Sequence, residues 1–235
     1  MSGEKAFLAI RLMGPLQSWG YDSQFDYRKT GLMPTKSGIA GLCCAAMHIP
    51  RGSEQEQDFL HRFREVNMLA VSIPRRHPTK NKATLEARRL RDYHTVQGTK
   101  KASGGIKDTH LTYRYYLQDA AFGVVFAGER DFLDDVAKNL RNPKWGLWLG
   151  RKSCLPSAPV FAGIFPDESS ALDVLLAGRE LVEFTHQREV SGFEAGSDTL
   201  PDQPVCFGSA EKDRAFAPRR VELREASGAS LQIIT

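Results

Sequence analysis

The sequence contains little cysteine and has no long hydrophobic run. Its four cysteines, Cys43, Cys44, Cys154 and Cys206, form no C-x-x-C pair and show no regular spacing. This pattern excludes a zinc ribbon and argues against a secreted scaffold held together by disulfides. The longest apolar stretch, residues 39–47, is far shorter than the roughly 20 residues that a transmembrane helix requires. We therefore expect a soluble, cytoplasmic protein that does not contact a membrane.

Several catalytic and cofactor-binding motifs are also missing. The sequence has no G-x-x-x-x-G-K-[ST] phosphate loop, no G-x-S-x-G elbow, no H-E-x-x-H and no D-x-D calcium loop. Its six histidines show no metal-ligand spacing. The sequence therefore predicts no cofactor and no metal site.

The positive charge is concentrated in one segment of the 235-residue chain. Residues 75–116 contain eleven basic and three acidic residues, a net charge of +8, whereas the whole chain carries only +4. Four tyrosines and three histidines lie in the same segment. A solvated loop could carry such charge merely to stay soluble. However, cations neutralise phosphates and rings stack on unpaired bases, so the combination favours single-stranded nucleic acid as the ligand.

The apolar pattern predicts an α+β fold with the order β-α-α-β-hairpin-β-α-β. We predict a ferredoxin-like (RRM-type) domain over residues 1–177, with a long basic β-hairpin thumb inserted at about 75–117. In this hairpin, residues 90–96 would pair with 111–117 across a tip at 99–105. Residues 178–235 should form a loop-rich region packed on the domain, with short strands at best. The other predicted strands are 6–12, 68–73, 120–127, 145–149 and 159–165, and the predicted helices are 35–47, 53–67, 131–140 and 169–177.

Two short basic segments and one histidine are candidates for RNA chemistry. Residues 34–37 form a typical helix start. Its free N–H groups, its lysine and its hydroxyls could bind an anion. However, an ordinary capped helix would have the same sequence and is the commoner case. Arg151 and Lys152 suit a second phosphate contact, although a basic surface turn would look the same. His94 is suited to general acid–base cleavage of RNA, but the sequence shows no partner for it, so a stacking role is favoured.

Five segments, in order, resemble one protein family. Residues 12–20 (LMGPLQSWG) resemble the LxGPxQxWG opening of CasD, the fifth CRISPR-associated protein family, and residues 30–41 (TGLMPTKSGIAG) are similar to its PT[KR]SG helix start. Residues 90–98 (LRDYHTVQG) resemble the segment that marks its type I-E branch. Residues 112–122 (TYRYYLQDAAF) and 149–154 (LGRKSC) extend the similarity, which covers about two-thirds of the chain.

The resemblance implies the repeat-associated (RAMP) ferredoxin-like fold with a thumb, and a place in Cascade. Cascade is the ribonucleoprotein surveillance complex of CRISPR antiviral defence, which holds a CRISPR RNA and finds matching DNA. The implied role is to bind and cap the 5′ handle of that RNA. The implied partners are the backbone subunit (CasC) and the large subunit (CasA), with target DNA met through the assembled complex.

The type I-E resemblance also implies that this chain does not cut RNA, since a separate subunit (CasE) does so in that branch. In the type I-C branch the relative is itself the processing nuclease. A metal-independent endoribonuclease that processes precursor CRISPR RNA, with His94 as its catalytic residue, is therefore the alternative. A third possibility, a free-standing RNA-binding module, is disfavoured by the glycine- and proline-rich C-terminal region, which suggests subunit contacts.

The candidate RNA-binding residues fall into three groups. Contacts to phosphates are expected from Arg28, Lys36, Ser37, Arg91, Arg151 and Lys152. Stacking on bases is expected from Trp19, Tyr93 and His94. At the thumb tip, Lys100 and Lys101 should guide the RNA strand, on grounds of charge alone.

Overall fold

The structure, a computed structural model, describes residues 4–76, 84–85, 87–100, 104–192, 194–208 and 213–226. Its helices and strands follow the predicted order closely, with additional short strands. They are β1 Lys5–Met13, β2 Leu16–Gln17, β3 Tyr27–Arg28, α1 Lys36–Met47, α2 Glu54–Arg64, β4 Asn67–Ser72, β5 Arg75–Arg76, β6 Thr84–Leu85, β7 Arg88–Lys100, β8 Ile106–Gln118, β9 Ala121–Glu129, α3 Arg130–Arg141, β10 Phe161–Phe165, α4 Glu168–Leu176, β11 His186–Glu189, β12 Asp198–Cys206 and β13 Ala215–Arg224.

Four strands form a ferredoxin-like unit within a seven-stranded antiparallel sheet. The sheet order is β10-β1-β9-β4-β11-β13-β12, so the first four strands have the order 4-1-3-2 of a βαββαβ unit. Helices α1 and α2 connect β1 to β4, and α3 connects β9 to β10. The predicted α+β, ferredoxin-like class is therefore confirmed.

The strand predicted at residues 145–149 is wrong. This segment is irregular, and its first residue is bonded to the end of α1 instead of to a strand. The N–H groups of Lys144 and Trp145 donate to the carbonyls of Ala46 and Ala45 at 2.9 and 3.2 Å. Carbonyls in the last turn of a helix lack partners within the helix, so the Lys144 bond satisfies the Ala46 carbonyl, while the Ala45 carbonyl also accepts from the His48 N–H at 3.3 Å.

The inserted hairpin is longer than the pattern predicts. Strands β7 and β8 pair in one antiparallel register from Arg88↔Gln118 to Lys100↔Ile106, with Gly98, whose φ is +66°, left out of the paired positions. Most β7 residues are exposed, with a more and a less exposed face in alternation. The pairing of 90–96 with 111–117 is confirmed, and it continues to the tip, where Gly104 and Gly105 have φ values of +80° and +84°. Residues 101–103 of the predicted tip lie outside the described residues.

The C-terminal region contains two long strands, so the prediction of short strands at best is wrong for it. β11 pairs with β4, and β13 and β12 continue the sheet beyond it. β12 and β13 have nine and ten residues. The prolines of this region lie at positions where a strand can accept them. Pro201 and Pro204 are on β12, which is an edge strand, and Pro218 precedes the part of β13 that pairs with β11. Proline is tolerated at such positions because no ladder hydrogen bond needs its missing N–H.

Helices cover both faces of the ferredoxin-like part of the sheet. Helices α1, α2 and α3 pack on one face around Leu8, Ile10 and Phe126. On the other face, α4 buries Ala171 and Leu175 against the sheet. RRM modules bind RNA by stacking bases on one sheet face, and α4 occupies that position here. Within the described ranges, no helix is long and apolar enough to cross a membrane.

Candidate nucleic-acid interface

Two of the motifs that carry the family resemblance pack against each other in the core. Gln17 is fully buried, and its Nε2 donates to the carbonyls of Leu12 and Ala120 at 2.9 and 2.7 Å. Its Oε1 accepts a hydrogen bond from Trp19 Nε1 at 3.0 Å. The Trp19 ring lies so close to Gly38 that a Cβ there would come within 2.9 Å of it. Trp19 is 0% exposed, so the prediction that it stacks on RNA bases is wrong; its role is to join the two motifs.

The N-terminus of α1 is already occupied by a carboxylate of the same chain. The side chain of Asp202, on β12, accepts a hydrogen bond from the Lys36 backbone N–H at 2.8 Å. Thr35 caps the helix by accepting from the Gly38 N–H. The Lys36 side chain is 0% exposed, and its Nζ donates to Glu189 at 3.0 Å. The predicted phosphate contact of Lys36 is therefore wrong, because this lysine and the helix end face the protein interior. Ser37 beside it is half-buried, and its phosphate contact stays a prediction.

Lys36 belongs to a buried ion cluster with Glu189, Asp202 and Arg219. Arg219 donates from Nε and Nη2 to the two Asp202 oxygens at 2.9 and 2.8 Å, and its Nη1 lies 3.8 Å from Glu189. Burial lowers the pKa of Lys36, while the neighbouring Glu189 carboxylate opposes that shift. The cluster contains two cations and two anions, so it is electrically balanced, and it joins α1 to all three C-terminal strands.

The open face of the hairpin carries a row of tyrosines across three strands. Tyr93 on β7 pairs with Tyr113 on β8, which pairs with Tyr27 on β3. The Tyr27 and Tyr113 rings are stacked at 5.1 Å, and Tyr93 meets Tyr113 edge-on at 5.8 Å. Tyr93 is 59% exposed and Tyr27 49% exposed. We call Tyr27, Tyr113 and Tyr93 the tyrosine row.

A cation lies directly against this row. The Arg91 guanidinium is 5.6 Å from the centre of the Tyr113 ring, and the side chain is exposed. Arg91 and Tyr93 lie on the same face of β7, since alternate residues of a strand point to the same side. A planar guanidinium beside exposed rings offers both a phosphate contact and stacking surface. Arg91 and Tyr93, both predicted from the sequence, are therefore brought together.

The opposite face of the hairpin base carries further cations. Arg28 on β3 pairs with Arg114 on β8. Arg151 lies 4.8 Å from the Tyr116 ring centre and donates to the Arg28 carbonyl at 2.7 Å. Lys152 is exposed, with its Nζ 5.8 Å from the Trp148 ring. Arg28 and Arg151 are thus neighbours, although 123 residues separate them in the sequence.

His94 and Tyr93 do not share a surface. As adjacent strand residues they point to opposite faces, and His94 is half-buried opposite Thr112. Its face also carries His110, whose Nε2 lies 2.7 Å from Asp26 Oδ1. Tyr93 and His94, both predicted to stack on bases, therefore lie on different faces, and the stacking role of His94 stays a prediction. Lys100 is exposed at the far end of β7, and Lys101 lies outside the described residues.

The sequence similarities agree with this architecture. The model of a family described as CRISPR-associated protein (Cas_Cas5) matches residues 7–222, which is most of the chain. This chain belongs to that family. The match extends through the C-terminal strands, beyond the five motifs recognised in the sequence.

Individual relatives give the same assignment. The chain is 33% identical over 169 residues to the CRISPR system Cascade subunit CasD of Escherichia coli (strain K12), covering 68% of this chain and 71% of the relative. A chain of a solved CRISPR RNA-guided surveillance complex superposes with a TM-score of 0.70 at 26% identity, covering 92% of this chain and 88% of the other. A solved Cas protein gives 0.60 at 32% identity, covering 94% and 95%.

Sequence reasoning missed two members of the tyrosine row. Tyr113 and Tyr27 were not among the candidates, because the parallel pairing of β3 with β8 joins residues 86 positions apart. The available signal was the alternation of tyrosines at positions 113 and 115 in a strand opposite Tyr93.

Proposed function

We propose that this family member is a non-catalytic Cascade-type subunit that binds and caps the 5′ handle of a CRISPR RNA. The relatives named above support the assignment, since one is a Cascade subunit and another belongs to an RNA-guided surveillance complex. The observation that carries it is the exposed tyrosine row with Arg91 against it. Because α4 packs on β1, β9 and β10, where an RRM would stack bases, we place the single-stranded RNA on the hairpin instead.

Each surface of the hairpin would have its own task. The tyrosine row supplies rings on which unpaired bases of any sequence can stack. Arg28, Arg151 and Lys152 supply charge for the phosphates. Lys100 and Lys101 would guide the strand toward the backbone subunit (CasC), with the large subunit (CasA) as second protein partner and target DNA met through the complex. This assembly would work in the cytoplasm.

Two substitutions should separate stacking from phosphate contact. Arg91→Ala should weaken binding of handle RNA to a similar extent for all sequences and reduce the salt slope by about 0.7, the value for one phosphate of a single strand. Tyr93→Ala should weaken binding by about 1–3 kcal/mol and leave the salt slope unchanged. Fluorescence anisotropy across a salt series measures both quantities.

Lys138→Ala is the matched control, because Lys138 is an exposed cation on α3, away from the hairpin. It should change neither affinity nor salt slope. If Arg91→Ala and Tyr93→Ala behave like this control, the tyrosine row does not hold the RNA.

A second candidate function, endoribonuclease activity without metal, is favoured by one observation. The register places His110 diagonally opposite His94, about 7–8 Å away, and Asp26 orients His110. Two histidines could supply a base and an acid. Lys100 could not serve as a second catalytic group for His94, because it lies six positions further along β7, roughly 20 Å away.

The surroundings of His110 favour a structural role for it. Asp26 accepts the Tyr113 N–H through its carbonyl at 2.8 Å while its carboxylate holds His110. The pair therefore fastens β3, and with it Tyr27, to β8. This use of His110 Nε2 supports the binding role over the nuclease.

A further inference from the structure

Phe25 is an apolar side chain that the fold holds in solvent. It is 87% exposed, more than any other large hydrophobic side chain among the described residues. Its backbone is also unusual, with φ of +47°. The left-handed region is unfavourable for L-residues with a Cβ, and bulky side chains seldom occupy it. Phe25 gains no burial in compensation, so contacts elsewhere must hold it in place.

Those contacts form a tight turn fastened to the hairpin. Gln24 and Tyr27 bond reciprocally, with N···O distances of 3.2 and 2.9 Å, so that Phe25 and Asp26 form a two-residue loop. Asp26 is held by the Tyr113 N–H and by His110. Lys29 and Asp22 close the base of the loop with an ion pair of 2.9 Å.

The turn leads directly into the tyrosine row. Its second arm is Tyr27, the outer member of that row, so Phe25 lies two residues before that end of the row in the chain. Arg28 follows Tyr27 directly in the chain and points to the opposite face, whereas the Arg91 guanidinium lies against the row itself. Exposed rings interleaved with cations suit bases and phosphates of a single strand better than an apolar protein pocket. Strained, preorganised residues are also typical of ligand-binding sites.

We propose that Phe25 stacks on an unpaired base of the bound RNA, extending the binding surface beyond Tyr27. This inference rests on the proposed function, because it assumes that RNA occupies the tyrosine row. The ligand is one nucleobase, presented by the strand as it leaves the row.

The test uses the full chain and a CRISPR repeat RNA, with 2-aminopurine at one position at a time. Phe25→Ala should raise Kd at least fivefold, the low end for loss of one base–aromatic stack. It should also abolish the fluorescence change at one position, whereas Phe25→Tyr should restore both signals. The melting temperature should stay the same, because the ring is exposed. Phe216→Ala, which removes a half-exposed ring on β13, should behave like the unmodified chain.

The outcomes separate this inference from the proposed function. If Phe25→Ala changes Kd less than fivefold and leaves every aminopurine response intact, while Arg91→Ala and Tyr93→Ala weaken binding, Phe25 is not part of the RNA site. If Phe25→Ala instead reduces only co-purification with neighbouring subunits, the residue is a protein contact and the inference is wrong. If none of the three variants weakens binding, the proposed function itself fails.

Discussion

Replacement of Asp202 by alanine should lower the free energy of unfolding by about 3–5 kcal/mol, the cost of breaking a buried ion pair from one side. The Asp202 carboxylate is fully buried and accepts hydrogen bonds from the Lys36 N–H and from two nitrogens of Arg219. Its loss leaves the Arg219 guanidinium buried with only Glu189 at 3.8 Å. It also leaves the first N–H of α1 without a partner.

Chemical denaturation, or a thermal melt in which each kcal/mol corresponds to roughly 2–4 °C for a domain of this size, measures the effect. Asp198→Ala, at an exposed position at the start of the same strand, is the matched control and should change stability by less than about 1 kcal/mol. Equal melting temperatures for the two variants would show that the cluster does not join α1 to the C-terminal strands. Lys36→Ala should likewise destabilise the chain without altering the salt slope of RNA binding.

Gly150→Ala should destabilise the chain by more than 3 kcal/mol, because two costs combine. Gly150 has φ of +91°, and a Cβ there would lie 1.8 Å from the Ser18 carbonyl oxygen. The backbone of the 149–154 motif therefore has to separate from that of the 12–20 motif, breaking the Ser18 N–H bond to the Leu149 carbonyl at 3.0 Å. Arg151 would move with it and leave Arg28.

Gly178→Ala isolates the backbone cost. Gly178 also has a positive φ, +76°, but a Cβ there would meet nothing within 4 Å. This control should lose only about 1–2 kcal/mol, the penalty for a left-handed alanine. Comparable unfolding midpoints for the two alanine variants would contradict the close approach of the two motifs.

Local pattern was sufficient to predict the ferredoxin-like part and the hairpin. Alternation and charge identify β7 and β8, and helical spacing identifies α3, because each signal lies within one segment. The C-terminal strands escaped prediction because Pro201 and Pro204 suggest loops, and only the sheet order reveals that they lie on an edge.

The site was predicted less well, since its residues are defined by partners far away in the chain. The local sequence around Lys36 suggests a phosphate ligand, but Asp202, which is 166 residues away in the chain, already accepts a hydrogen bond at the same helix end. Trp19 looks like a stacking residue until Gly38 is seen to make room for it. Conversely, Tyr27 becomes part of a binding surface only through its pairing with Tyr113.

The proposed function requires that the chain hold CRISPR RNA intact on its hairpin. The most direct test incubates the purified chain with 5′-labelled precursor repeat RNA in the presence of a chelator, and resolves bound and cleaved RNA on native and denaturing gels. We predict that the RNA is shifted and remains full length, and that Arg91→Ala and Tyr93→Ala reduce the shift. Cleavage at the 5′ edge of the handle that is lost in both His94→Ala and His110→Ala would contradict the proposed function and establish the chain as the processing nuclease.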